Sequence, residues 1–436
     1  MISAAILYCI SILYVCYYAH QTNWLSIIGP IAIAGICFVY LYKRINNQKQ
    51  LNQILMLVFA TKLIIVFAFP NLSDDIYRFK WDGLLVSHGI NPFINTPTEV
   101  LNRYTGTIAN ELNTLYPLLN SKEYHTVYPL ISQAVFGFCS MLSGENITTF
   151  SMLLKCVYLI ADVALLFSLI QLLKSSGFQS KKSLLFYASP LCIVELNGNL
   201  HFELFLILFL CLAILNYNQS HLLKSGFNLG LSVISKLNSF LFGILFLSKS
   251  DFIKKNVLLV FGFLIPLLAA AWFILPGING YKASLGLYFH QFEFNSFLYG
   301  HLTHYCDVNK FYDEKKLVGI YLMICFILLA IYLVIKWWFN TQRSFSFKTA
   351  WYLLFSYLLL SSTVHPWYLT LLVFLSCFYL PLTGISWSYL VFFSYTRYDS
   401  KFELYEPILV FMEYFLVIIV LIYELHSNRK LNLNLT

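Results

Sequence analysis

The chain has 436 residues, of which 59% are hydrophobic and 11% charged, with a mean hydropathy of +0.70. That leaves too little polar surface to solvate a soluble globule, so lipid is the main solvent. The net charge of +8 does not point to nucleic acid, because the basic residues lie in short connections between apolar runs rather than in one patch. The ten Cys include no CxxC pair and mostly fall within apolar runs, which argues for buried thiols rather than a disulfide or zinc framework.

A helix crosses the hydrocarbon core with about 20 apolar residues. In chain order the clear runs are 2–19, 24–42, 51–69, 150–173, 183–199, 202–217, 257–275, 317–337, 349–364 and 407–425. Residues 2–19 lack a basic n-region and a small-residue cleavage site, so they are expected to stay as a span. The shorter or interrupted runs are 127–143, 226–248, 367–383 and 386–395. The expectation is an all-α, polytopic transmembrane protein of about 11–14 spans, with residues 1–436 forming a single integral membrane domain.

Lys and Arg cluster at Lys43/Arg44/Lys49, Lys174/Lys181/Lys182, Lys249/Lys254/Lys255, Lys336 through Lys348, and Arg429/Lys430. If all five clusters are cytoplasmic, an even number of crossings separates each from the next. Parity then makes 127–143 a juxtamembrane or re-entrant helix and splits 226–248 into two half-length helices at Lys236. Two large loops, 70–149 and 276–316, become extracytoplasmic, together with the segments around Glu203, Lys236, His365 and Arg397.

The first outer loop opens with Ser73-Asp74-Asp75-Ile76-Tyr77-Arg78-Phe79-Lys80-Trp81-Asp82-Gly83, followed by Gly89-Ile90-Asn91-Pro92-Phe93. Three carboxylates within nine residues stand beside a span in a chain poor in acids. With Ser73 as cap, Asp74 and Asp75 fall in the first turn of a short helix, where its dipole favours the ionised form. Arg78 lies within pairing reach of either. Such a carboxylate at an interface can act as general base toward a hydroxyl.

This string resembles the first extracytoplasmic loop of GT-C superfamily glycosyltransferases that use polyprenyl-phosphate sugars. The nearest-looking branch holds bacterial polyprenol-phosphomannose-dependent mannosyltransferases and the GPI mannosyltransferase I catalytic subunit. Tyr128-Pro129-Leu130, Gly198-Asn199-Leu200-His201-Phe202-Glu203, Ser235-Lys236-Leu237-Asn238, Phe292-Glu293-Phe294-Asn295 and Val364-His365-Pro366-Trp367-Tyr368 extend the likeness in order along the chain. The resemblance implies a GT-C-like fold whose large first loop carries juxtamembrane helices. It also implies transfer of a sugar, mannose by the nearest branch, from a polyprenyl- or dolichyl-phosphate donor, with inversion, on the extracytoplasmic face. The acceptor would be a hydroxyl of a glycan, glycolipid or protein. The membrane would be the bacterial plasma membrane, or the endoplasmic reticulum in a eukaryote.

The acidic motif maps onto Asp74 and Asp75, one of which is the base, and the sequence leaves the choice open. Arg78, Asp82, His201, Glu203, Lys236, His365 and Arg397 are the expected substrate-binding residues. Lys236 is an ionisable group inside an apolar run, suited to a phosphate, and the planar fork of Arg397 suits the same dianion. His201-x-Glu203 stands where metal-dependent relatives carry an Asp-rich motif, so neither a metal nor another cofactor is expected. A multi-spanning transporter or lipid flippase is the alternative reading, which would require polar groups through the bilayer midplane.

Overall fold

In a computed structural model, residues 1–247, 252–290, 292–339 and 345–433 are described. Among them the chain is helical, with one isolated parallel bridge between Phe294 and Thr363. Lys249 of the third basic cluster and Gln291 of the loop 276–316 lie outside the described residues.

Among the described residues five helices are long and apolar enough to cross a membrane unaided: Trp24–Arg44, Ile147–Ser175, Ile253–Ser284, Tyr312–Trp338 and Glu403–Asn428. The other apolar runs are built from shorter helices, including Ile2–Tyr18, Leu130–Ser143, Leu237–Phe246, Phe347–Leu360 and Pro366–Ser376. An apolar run is therefore not always one continuous helix here. Leu130–Ser143 has 14 residues and is about 21 Å long at 1.5 Å per residue, short of the ~30 Å core. The run 226–248 breaks at Lys236, an extended residue between the helix Leu222–Ser235 and the 3₁₀ helix Leu237–Phe246.

The chain divides into two compact units. The first comprises residues 1–61, 170–195 and 289–436; the second comprises 62–169 and 196–288. In the first unit, Trp24 is held by its backbone N–H to Asp399 Oδ2 (2.9 Å) and by its indole N–H to the Phe392 carbonyl (3.0 Å). The buried Glu424 carboxylate accepts from the backbone N–H groups of Leu382 and Thr383, each at 2.9 Å, and so caps the helix Pro381–Leu390. These bonds satisfy donors that lipid cannot.

In the second unit, the helix Leu222–Ser235 packs on Phe252–Ile274 and on Glu203–Asn218. The first of these contacts is close because glycines line it. A Cβ on Gly226 would stand 1.9 Å from the Leu259 carbonyl oxygen, and one on Gly262 2.2 Å from that of Leu223. Small residues let helix backbones approach where lipid offers no hydrophobic drive toward association. Gly226→Ala should therefore lower stability by about 1–3 kcal/mol, whereas Gly29→Ala, where a side chain meets open space, should leave it unchanged or slightly raised. Melting of the two variants in detergent checks the pair.

Candidate functional site

The helix Asp75–Ser87 begins where the chain leaves the apolar run 51–69. Asp74 is its N-cap and is exposed, and Ser73 Oγ accepts from the Asp75 N–H at 3.3 Å. The cap thus sits one residue later than the sequence suggests. The half-buried Asp75 carboxylate has no hydrogen-bond partner among the described residues, and it stands where the helix dipole favours negative charge.

Arg78 turns away from both motif aspartates. Its Nε donates to Asp82 Oδ1 (2.9 Å), and its Nη1 to the carbonyls of Ser121 (3.1 Å) and Tyr124 (3.0 Å) and to Ser121 Oγ (3.2 Å). Asp82 Oδ2 accepts from Thr126 Oγ1 (2.5 Å) and Gln133 Nε2 (2.9 Å). A guanidinium needs several acceptors to be buried, and only the side facing loop 121–126 supplies them. Both residues are almost fully buried, Arg78 at 4% exposure and Asp82 at 0%. The pair fastens the motif helix to the following loop and to the helix Leu130–Ser143.

The Gly-Ile-Asn-Pro-Phe string forms a second fastening. Asn91 Nδ2 donates to the Phe273 carbonyl (2.6 Å), one of the last of the helix Phe252–Ile274, while Asn91 Oδ1 accepts from the Phe93 N–H (2.9 Å). Buried Phe93 meets Phe273 and Tyr281 edge to face, at 5.8 and 5.4 Å between centroids. Gly277 fits beneath the Phe93 carbonyl, 2.0 Å from where a Cβ would be.

The segment 199–202 leads into the helix Glu203–Asn218. His201 and Glu203 are buried, and Glu203 Oε1 takes the Lys236 ammonium as an ion pair. The partners differ in exposure: 27% for the Lys236 side chain against 1% for Glu203. Glu203 Oε2 is buried with no hydrogen bond among the described residues. Phe202 ties this turn to the motif helix, lying 6.1 Å from Phe79, 5.1 Å from Phe136, 5.5 Å from Tyr158 and 5.3 Å from Phe205. Phe79 in turn stacks on Phe136 at 4.6 Å. Asp75 and Glu203 therefore belong to elements joined by one aromatic core, and Lys236 is tied to them by its ion pair with Glu203.

The charges within the apolar runs of this unit have protein partners. Lys62, which sequence reading passed over, bonds both carboxylate oxygens of Asp162 at 2.9 Å, and each is buried. Lys155 donates to the carbonyls of Ile65 (3.2 Å) and Ala68 (2.7 Å), just upstream of the acidic motif. Lys62 and Asp162 lie 100 positions apart, so spacing carries no signal of their pairing.

Within the first unit, His365 stacks between Phe294 (4.6 Å) and Trp367 (4.3 Å) and meets Tyr368 edge-on. The backbone supports the stack through Phe294 N–H to Ser362 O (3.1 Å) and Val364 N–H to Phe294 O (2.8 Å). Arg397 pairs with Glu406 at 2.8 Å, its side chain half exposed. The nearby Asp399 is not its partner and accepts from the Trp24 N–H. Among the described residues no three His, Cys, Asp or Glu side chains gather closely enough to hold a metal ion.

A polytopic helical membrane protein with an acidic motif at a helix N-terminus belongs to a class that includes membrane glycosyltransferases. The family model described as alpha-(1->6)-mannopyranosyltransferase, N-terminal domain (MptA_B family), matches residues 9–270, more than half of the chain. The chain belongs to this family and is an integral membrane mannosyltransferase of the GT-C type. No curated protein and no solved structure matches it.

Two outcomes follow for this unit. Asp82→Asn leaves Arg78 buried without its counter-charge and should cost about 3–5 kcal/mol, read as a lower melting temperature and faster proteolysis within 121–128. Burial pushes the Lys80 ammonium down to about 8 from its ordinary 10.5. The folded value lies below the unfolded one, so the cost of burying that charge is complete below pH 8 and relieved as pH rises from 8 to 10.5. The melting temperature of Lys80→Met minus that of the parent should therefore decline across that window.

Proposed function

We propose that the protein transfers mannose from a polyprenyl-phosphate carrier to an acceptor hydroxyl at the extracytoplasmic face, with inversion at the anomeric carbon. The observation that carries the reading is the unspent carboxylate of Asp75, set at a helix N-terminus while Asp82, Asp162 and Glu203 in the same unit bond to protein partners. Parity of the basic clusters supports the sidedness. The pairing of Lys62 with Asp162, and of Lys155 with backbone carbonyls, supports an interfacial enzyme over a transporter or flippase.

In this mechanism the Asp75 carboxylate accepts the proton of the acceptor hydroxyl as its oxygen attacks the anomeric carbon. The bond from that carbon to the phosphate oxygen breaks, and the carrier departs as polyprenyl phosphate. Lys236, the more exposed partner of its ion pair, meets the charge that develops on the phosphate, while Glu203 holds the ammonium in place. One displacement with one base gives inversion. Arg78 and Asp82, expected as substrate-binding, act by holding the motif helix rather than by touching the sugar. The acceptor is a glycan, glycolipid or protein hydroxyl, and the compartment is a bacterial plasma membrane.

Asp75→Asn should reduce transfer by about 10²–10⁴-fold with normal expression, whereas Asp74→Asn should retain most of it. Transfer unchanged by Asp75→Asn would remove that residue as the base, and transfer unchanged by both variants would remove the motif from the mechanism. Lys236→Met should raise the donor KM and lower kcat. His365→Ala and Arg397→Ala test the two remaining expected substrate contacts through the donor KM.

A further inference from the structure

The turn that precedes Glu203 contains an unusual backbone. Leu200 adopts φ 67° and is completely buried. The left-handed region is expensive for a residue with a branched side chain, and Gly or Asn normally fills it. Such a conformation persists only when its surroundings impose it. Here the imposing group is identifiable, since the Tyr158 hydroxyl donates to the Leu200 carbonyl at 2.6 Å, from a residue that is itself completely buried. The Tyr158 ring also packs edge to face on Phe202 (5.5 Å) and Phe205 (5.0 Å), on either side of Glu203.

We infer that Tyr158 is a positioning residue for transfer: its hydroxyl holds Leu200 in the left-handed conformation that aims His201 and Glu203, and through Glu203 sets Lys236. This rests on the role proposed above for the Glu203–Lys236 pair. The ring and the hydroxyl have separable duties. The ring fills the aromatic core, and the hydroxyl fixes one carbonyl. A hydroxyl acting only through packing would be dispensable, whereas one that holds a strained turn becomes dispensable once the strain is removed.

The test uses the full-length protein in detergent or lipid, with three variants and two readouts. Tyr158→Phe keeps the ring and removes the hydroxyl; it should accelerate amide hydrogen exchange across residues 199–206 and lower kcat about tenfold, with a smaller change in the donor KM. Adding Leu200→Gly, which takes φ 67° without strain, should restore much of both protection and kcat. Unaltered exchange in Tyr158→Phe overturns the proposal. So does a loosened turn with unaltered kcat, or a loss that Leu200→Gly fails to rescue in protein that elutes and melts like the single variant. Glu203→Gln, assayed alongside, separates the two levels: if its transfer equals the parent's, the role of the Glu203–Lys236 pair falls, and the positioning role falls with it even where exchange shows the turn to be held by Tyr158.

Discussion

The buried pair Arg78–Asp82 is the interaction on which the motif helix depends. A guanidinium and a carboxylate removed from water are stable only when every remaining donor and acceptor is met. Loop 121–126 and Gln133 supply partners for Arg78 Nη1 and Asp82 Oδ2 here. The consequence is local rigidity. One turn upstream, the N-terminus carrying Asp74 and Asp75 is presented by an anchored helix rather than a loose loop. A general base of the kind proposed at Asp75 has to be held to within a fraction of an ångström to be effective, and this pair, aided by Lys155 and Asn91, anchors the helix that carries it.

A division of labour among the charges follows. Arg78, Asp82, Lys62, Asp162 and Lys155 are buried and serve the fold. Asp75, at a helix N-terminus, and Lys236 are instead partly exposed, and these are the two groups to which the proposed mechanism gives chemical roles. The same physics separates the two groups. A charge taken out of water is costly enough to be matched by the protein, as with Arg78 and Asp82, whereas Asp75 is only half-buried. Leu200 is set apart by backbone conformation rather than charge.

Local features were legible in the sequence. The interruption at Ser235-Lys236-Leu237-Asn238 is a break in the structure, and 127–143 contains a helix too short to cross, because polar residues inside an apolar run and a run's length are local properties. The acidic string announced a helix start to within one residue, and the family match agrees with the resemblance drawn from it. Long-range pairing was not legible. Arg78 was expected to face Asp74 or Asp75, but it pairs with Asp82 one turn further on, and its other acceptors come from a loop 43–46 residues downstream without periodicity. Glu203 and Lys236 were each singled out, yet nothing in their spacing pairs them. Tyr158 looked like one more aromatic in a span; only the backbone dihedral of Leu200 gives its hydroxyl a meaning.

The central claim is a single displacement on a lipid-linked mannose. Its most direct test is to incubate the purified protein with mannosyl polyprenyl phosphate and a mannoside acceptor, following carrier release and the anomeric configuration of the new linkage by NMR. The account predicts one equivalent of polyprenyl phosphate released per linkage formed, with configuration opposite to that of the donor. Retained configuration, or mannose transferred from a nucleotide sugar without a lipid carrier, would contradict it.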